Sequence, residues 1–561
     1  MPVTYLVNRN IVGNPILGSN IAAPLSSNIF SIVADPAGNV YVSGSYMGAA
    51  STNYVEPASS TGPATGNTTF TLPNTGTTAT GGLFVKYYSN GTPAYSLGMT
   101  AGANVVANSV TLDATASNVF VAFSYQTVGA ATMTVNTPTT TGGSVSAVVF
   151  PATQSAATLT WGTGLLKINA ATGAILWGAA VDAGFNGDQD QVGGVTVDQF
   201  GNSYIGLLYN TNSATTLAVY NGALGTLTTT GSTVSLPATS TGVALIKFGP
   251  SGIAQWQAVT TATTTPFVSN TLGIDSAGNV IMGLQVTGTA TVNTGVQSGS
   301  GTGYSVTNTA GTTAAILIKY NTGGLTSAPV LWIAQMYGAS GTTSQIYGIT
   351  CGQYNSVYIT GSTTSTSTIS IYNGNGTGSA PSVTASTINI PGNATTASQQ
   401  AFLAKFSSNT GAIQYVSYLP SVATTAASNF YIAYPNPSDT DLYVAARYFN
   451  SVNAQTIINS NGTTAATTLP LTSGNTNNPV LIRYFLGNAI SAQAIPTSLA
   501  TQAYTAFVDP SATNVYVGGS YYNTITTTLN QAGPTGGTAP STVVLPITAT
   551  NVTTAWWAKY S

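Results

Sequence analysis

A hairpin motif that returns seven times constrains this chain more than any other feature of its 561 residues. In the first copy Ser31-Ile32-Val33-Ala34-Asp35 runs through Pro36-Ala37-Gly38-Asn39 into Val40-Tyr41-Val42-Ser43-Gly44. The turn acid recurs as Asp113, Asp198, Asp275 and Asp509, while the fifth and sixth copies are aligned with Cys351 and Tyr434 at that place. A β-branched and aromatic run, a tight polar turn and a second alternating run read as a β-hairpin. A third strand with one basic residue follows in each copy, at Lys86, Lys167, Lys247, Lys319, Lys405, Arg483 and Lys559. A turn then leads to a fourth strand that carries Tyr95, Trp177, Trp256, Trp332 or Tyr415 in the first five copies. Four strands in each of seven units predict an all-β chain folded as a seven-bladed β-propeller.

The repeats fill residues 1–561 as one domain, with units starting near 28, 107, 191, 268, 344, 427 and 503. The seventh unit stops after its third strand, and residues 3–7 (Val-Thr-Tyr-Leu-Val) resemble the missing fourth. Strands from both ends are therefore expected to complete the last blade and close the ring, leaving no open edge there. Between second and third strands lies Thr/Ser/Gly-rich sequence that often ends in an apolar-Pro step, as at Leu72-Pro73, Phe150-Pro151 and Leu469-Pro470. Its recurrence in kind predicts an inserted hairpin, with a solvated low-complexity loop as the alternative.

The Asp-x-x-Gly-Asn-Val-Tyr-Val hairpin and the Phe-Val-Lys-Tyr-x-x-Asn-Gly strand-turn resemble the bacterial-type seven-bladed propeller repeat family (SBBP repeats), and more distantly NHL-type propellers. The resemblance covers nearly the whole chain and implies a fold rather than an activity. Similar repeats occur in secreted, cell-surface and large-virus proteins. The long inserts depart from that family.

Charge narrows the functional classes. Only 4% of residues are charged, against about 25% in ordinary soluble proteins. Nine Lys and Arg against eleven Asp and Glu leave a net charge of −2 and no basic patch, which argues against binding nucleic acid. Such a surface repels its own copies weakly, which favours self-association. Seven of the nine cations share one repeat position and five of the eleven acids another, which marks them as architecture. An Asp at a strand end accepts backbone N–H groups, and a nearby cation compensates its burial. The fifth and sixth units are expected to lack that partner.

Catalytic constellations are scarce. The absence of histidine excludes imidazole chemistry. One Glu leaves only Asp pairs for glycosidase-type work. Cys351 has no basic neighbour in sequence and reads as a core thiol. Asp182, Asp188 and Asp190 form the densest acidic group and are the candidate Ca²⁺ ligands, with exposed loop acids as the plainer reading. No other cofactor is implied. Asn-x-Ser/Thr sequons stand at Asn67, Asn90, Asn375, Asn393, Asn461 and Asn551.

The chain has no secretory signal pattern at its start and no apolar run long enough for a transmembrane helix. Together these features point to a non-catalytic structural protein of an exterior surface (a virion, surface layer or filament). Its partners would be itself or other coat proteins, through lateral propeller contacts. The competing readings are a carbohydrate-binding or host-adhesion module, in which aromatic residues stack on sugars, and a degradative enzyme that uses Asp188 and Asp190.

Overall fold

The computed structural model describes residues 15–23, 25–48, 53–55, 72–73, 75–127, 132–136, 148–151, 160–186, 192–211, 215–222, 225–236, 240–262, 267–268, 271–296, 303–308, 312–324, 326–338, 342–364, 368–376, 388–392, 399–420, 429–436, 438–449, 455–459, 464–469, 477–494, 501–511, 513–523, 527–530, 542–545 and 552–560. Among them every regular element is a β-strand. Strands such as Val40–Gly48 are buried along almost their whole length, as expected for β-rich runs covered on both faces.

In unit 1, strands Ser26–Ala34, Val40–Gly48, Gly76–Tyr87 and Pro93–Thr100 form an antiparallel four-strand meander. Unit 2 repeats it with Val105–Leu112, Asn118–Gln126, Thr160–Asn169 and Ile175–Asn186. Unit 3 uses Val192–Val197, Ser203–Thr211, Ser240–Phe248 and Ala254–Ala262. Unit 4 uses Gly273–Ile274, Val280–Thr287, Thr313–Tyr320 and Val330–Tyr337. Unit 5 uses Thr343–Cys351, Ser356–Thr364, Gln399–Ser407 and Ile413–Leu419. Unit 6 uses Asn429–Pro435, Asp441–Phe449, Asn477–Phe485 and Asn488–Ala494. Unit 7 joins Thr501–Val508, Val515–Asn523 and Val552–Tyr560 to strand Pro15–Ala22. Residues 3–7, the expected partner of the last strand, lie outside the described residues, and that place is taken by Pro15–Ala22.

The expected seven-bladed propeller is not what the structure forms. Its strands join into sheets of twelve, six, eight, thirteen and four strands and a two-stranded ribbon. None of these closes into a barrel, one is curled into a half-barrel, and there is no seven-bladed ring. The inserts supply the physical reason. They fold as hairpins, but their first strand adds to the outer strand of the preceding unit. Met133–Asn136 pairs with Pro93–Thr100, Thr215–Gly222 with Ile175–Asn186, and Thr289–Asn293 with Ala254–Ala262. Ile369–Gly376 pairs with Val330–Tyr337, and Gln455–Ile458 with Ile413–Leu419. An open strand edge recruits whatever strand lies within reach, so hydrogen bonding crosses unit boundaries and separate blades do not result.

The inserts alternate as half-buried strands should. Met133, Val135, Val148 and Phe150 point inward, as do Ala290, Val292, Val306, Ile369, Ile371 and Ile390. Hydrophobic clusters lie mostly between consecutive units: Phe120, Leu165 and Trp177 of unit 2 pack with Val195, Ile205 and Ala244 of unit 3. Units 7 and 1 share a cluster of Tyr516 and Trp557 with Ile29, Val42 and Leu83.

First strands of units 1, 2, 3, 5, 6 and 7 carry a β-bulge, placed in unit 1 between Ile29 and Ser31 and in unit 5 between Ile346 and Gly348. Gly44 and Gly361 on the second strands face these bulges. A Cβ on Gly44 would fall on the carbonyl oxygen of Asn28, and one on Gly361 on that of Gln345. Only glycine lets the bulged backbone come this close. Gly44→Ala and Gly361→Ala should therefore each cost roughly 1–3 kcal/mol as the strands are pushed apart, and thermal unfolding of the single variants checks this.

Candidate functional site

The turn between first and second strands is built around the repeated carboxylate. Asp35 accepts the N–H groups of Ala37 (3.0 Å) and Asn39 (2.9 Å), the Asn39 side-chain amide (2.8 Å) and the Tyr41 hydroxyl (3.0 Å). Asp198 repeats this with Phe200, Asn202 and Tyr204. Asp113 holds Ser117 and Asn118, and Asp509 holds Thr513 and Asn514. Asp275 holds Ala277 and Asn279 and also takes the Ser408 hydroxyl at 2.8 Å. Gly38, Gly201 and Gly278 end these turns at φ near +80° (+82°, +78° and +81°), a conformation that glycine adopts without strain.

The repeated cations reach forward into the next unit. Lys86 Nζ and the Tyr95 hydroxyl both donate to the carbonyl of Ala170, at 2.7 and 3.1 Å. Lys167 and Trp177 share Pro250 O, at 3.5 and 2.8 Å. Lys319 and Trp332 share Ser408 O, at 2.7 and 2.8 Å. Lys247 donates to Thr322 O (3.0 Å) and Gly324 O (3.2 Å). Each acceptor lies in the turn between third and fourth strands of the following unit. Lysines 86, 167, 247, 405 and 559 also sit 5.1 to 5.8 Å from the ring of Tyr41, Phe120, Tyr204, Tyr358 and Tyr516 on their own second strand.

Among the repeated lysines, direct pairing with the turn Asp of the same unit occurs in unit 4, where that ring is missing. Unit 4 has Ile281 opposite Lys319, and there Lys319 closes on Asp275 at 2.5 Å, both side chains almost fully buried. In units 1 and 3 a tyrosine hydroxyl fills the second carboxylate oxygen, and the lysine turns to the neighbouring carbonyl. Burial lowers the pKa values of Lys86, Lys247 and Lys559, with Asp35, Asp198 and Asp509 respectively offsetting part of it. Burial also pushes the Asp275 and Asp509 carboxyls up, but it is outweighed. Lys319, Asn279 and Ser408 hold Asp275 below its ordinary value, and Asn514, Thr513 and Ser511 do the same for Asp509.

Units 5 and 6 differ from the sequence alignment. The backbone bonds that mark the acid position, Asp35 N–H to Asn39 O in unit 1, are made in unit 5 by Gly352 to Ser356 and in unit 6 by Asn436 to Asp441. Cys351 and Tyr434 each stand one or two residues too early. The turn of unit 5 has no acid of its own but borrows one, and that of unit 6 carries its acids at other places. Asp439 of unit 6 reaches across to take the Tyr358 hydroxyl at 2.8 Å and approaches Lys405 at 3.6 Å. A Cβ on Gly352 would fall on the Asp439 carboxylate. In unit 6 the amide and acid have changed places: Asn436 accepts the N–H groups of Thr440 and Asp441, while Asp441 takes Arg483 Nε at 2.7 Å and Nη2 at 2.6 Å. The signal lay in the spacing: Gly352 precedes Ser356-Val357-Tyr358 by the interval that separates Asp35 from Asn39-Val40-Tyr41.

Asp182 stands in strand Ile175–Asn186 opposite Gly162, and Asp188 and Asp190 lie outside the described residues. Among the described residues no three His, Cys, Asp or Glu side chains gather as a metal site. Burial pushes the Cys351 thiol up, away from the reactive thiolate. A cavity of about 210 Å³ lies between the first strands of units 1 to 5, walled by Ser31–Val33, Ser109–Leu112, Val195–Val197, Thr271–Ile274 and Ile349–Cys351. That wall carries no charged group. Hydroxyls tie its strands together: Ser31 Oγ takes the Val110 N–H, Ser109 Oγ that of Val195, and Thr271 Oγ1 that of Ile349.

No protein-family model matches the chain, and no curated protein matches it. Among the described residues no helix is long and apolar enough to cross a membrane.

The unit 5–6 joint makes a sharp test. Asp439→Asn keeps a residue that tolerates its φ of +58° and should cost about 1.5–3 kcal/mol, the range for a lost hydrogen bond to a charge. Gly352→Asp alone should destabilise by setting two carboxylates in one place. Combining Gly352→Asp with Asp439→Gly rebuilds the arrangement of unit 1 and should recover stability relative to either single change, read from denaturant midpoints.

Asp275 and Asp509 fix the acid response. Their folded pKa values lie below the unfolded ones, so their stabilisation is complete above the ordinary Asp value of about 3.9 and is lost as pH falls through the lowered values. Stability should drop below about pH 4, and Asp509→Asn should flatten that slope in pH-dependent unfolding.

Proposed function

We propose that this protein is a non-catalytic structural component of an exterior surface, a virion, surface layer or filament, and that it works by packing its insert hairpins against further copies or other coat proteins. The observation that carries this reading is the pairing of the inserts. The inserts of units 2, 4 and 5 bury one face and present Thr, Ser, Asn and Tyr on the other, and the outermost strands of the last two end their hydrogen-bonded sheets without charge. Gly303–Thr307 is the outer strand of the eight-stranded sheet and Ile388–Ile390 that of the thirteen-stranded one. Neither contains Lys, Glu or Pro, the usual devices that keep a sheet edge from pairing with another chain. The acids and cations of the repeats are engaged in turns and inter-unit contacts, which supports a structural role over a catalytic one.

At neutral pH the purified chain should form ordered, concentration-dependent assemblies visible by electron microscopy and sedimentation. Ser305 and Asn389 are exposed on these two edges. Ser305→Lys with Asn389→Lys should abolish assembly while moving stability by no more than about 0.5 kcal/mol, as exposed substitutions do. A monomer at every concentration, or assembly indifferent to both lysines, would refute the role.

A further inference from the structure

The first-strand bulges bring together side chains that neither the turns nor the hydrophobic clusters account for. Phe30, Tyr347, Tyr431 and Tyr504 are the extra residues at the bulges of units 1, 5, 6 and 7. Their rings form one continuous row: Tyr347 to Tyr431 at 5.5 Å, Tyr431 to Tyr504 at 5.6 Å, and Tyr504 to Phe30 at 5.7 Å between centroids. All four are half-buried, whereas core rings such as Tyr41 and Tyr204 are enclosed. The bulge of unit 2 carries Asn108 instead, and that of unit 3 carries glycine. The aromatic row is therefore one-sided.

Two polar features accompany the row. Arg447 is the one described cation outside the repeated position, and its guanidinium carbon lies 5.9 Å from the Tyr431 ring centre. The Oδ1 atom of Asn108 is buried without a hydrogen-bond partner. A hydrophobic plug needs neither a cation nor an orphan acceptor, and a buried acceptor left unbonded is costly. Half-buried rings in a row, an Arg fork suited to carboxylate and a waiting acceptor match a ligand that is apolar on its ring faces, hydroxylated at its edges and anionic at one point.

We infer that the aromatic row with Arg447 is a binding site for a carboxylate-bearing saccharide. The sugar faces stack on Tyr431, Tyr504 and Phe30, Arg447 takes the carboxylate, and Asn108 accepts from a sugar hydroxyl. This goes beyond the assembly role and stands without it.

The test is calorimetric titration of the full chain with a tetrasaccharide of glucuronic acid and, separately, with an uncharged glucose tetrasaccharide. The uronate should bind with a Kd below about 1 mM and at least about tenfold more tightly than glucose at low salt, a preference that about 1 M NaCl should erase by screening. Arg447→Gln should remove the preference, and Tyr504→Ala should weaken both ligands about tenfold or more, an effect of the size expected for a lost stacking contact. Salt dependence in the unaltered chain decides the charge requirement even if Arg447→Gln fails to fold. Equal affinity for the two sugars, no binding of the uronate at 10-fold the expected Kd, or a preference that persists at high salt overturns the assignment.

Discussion

In units 1 to 4 and 7 the turn between first and second strands encloses a carboxylate that water cannot fully solvate. At Asp35 two backbone N–H groups, an amide and a tyrosine hydroxyl converge on it before any cation arrives. Burying an unpaired charge is expensive, and hydrogen bonds to an ionised acceptor are among the stronger ones available. The turn is thereby fixed in one geometry, and that geometry sets where the second strand begins and so which residue of the third strand lies opposite it. Tyr41 opposes Lys86 in unit 1 for this reason, and Tyr204 opposes Lys247 in unit 3. The same constraint thus places a buried ammonium, which must find acceptors of its own.

How the lysine finds them couples one unit to the next. Where a ring stands opposite the lysine, as Tyr41, Phe120 and Tyr204 do in units 1 to 3, the lysine is directed past it to a carbonyl of the following unit, where a phenol or indole from the fourth strand joins it in units 1 and 2. Where the ring is absent, as at Ile281, the lysine takes the carboxylate directly, and Ser408 of the following unit bonds to both. In either case a charge inside one unit is satisfied only if the neighbour is in place. Few charges are needed for this, and a chain with 4% charged residues has spent most of its cations on it. Unit 5 carries the coupling furthest, since its turn has no acid of its own and draws Asp439 from unit 6.

The all-β character and the hairpins around the repeated charges were legible because each rests on a local rule: alternation for strands, Asp and Gly for turns, one cation per third strand. Two things were not. The acid position in units 5 and 6 was misread because identity was sought at a fixed place in the motif. The turn tolerates either four or five residues from the acid to the start of the second strand, as Asp35 to Asn39 and Asp113 to Asn118 show. An exchange such as Asn436 with Asp441 preserves the physics while breaking the pattern. The aromatic row was hidden more deeply, because Phe30, Tyr347, Tyr431 and Tyr504 become neighbours only through bulges, and no single repeat reveals that.

The failure of the propeller expectation has the same origin as the proposed role. An outer strand such as Pro93–Thr100 offers a row of unpaired N–H and C=O groups that must be satisfied by water or by another strand. Short loops leave it to water. Here Met133–Asn136 from the next unit covers it, and Thr215–Gly222 and Ile369–Gly376 do the same further along. The gain is cross-strand packing, seen in the stacked rings of Tyr337 and Tyr372 at 4.8 Å. The consequence is that the open edge is not removed but moved outward, onto an uncharged strand at the periphery. The outer strands Gly303–Thr307 and Ile388–Ile390 carry no lysine within their length, and proline enters only just past the end of the second, at Pro391.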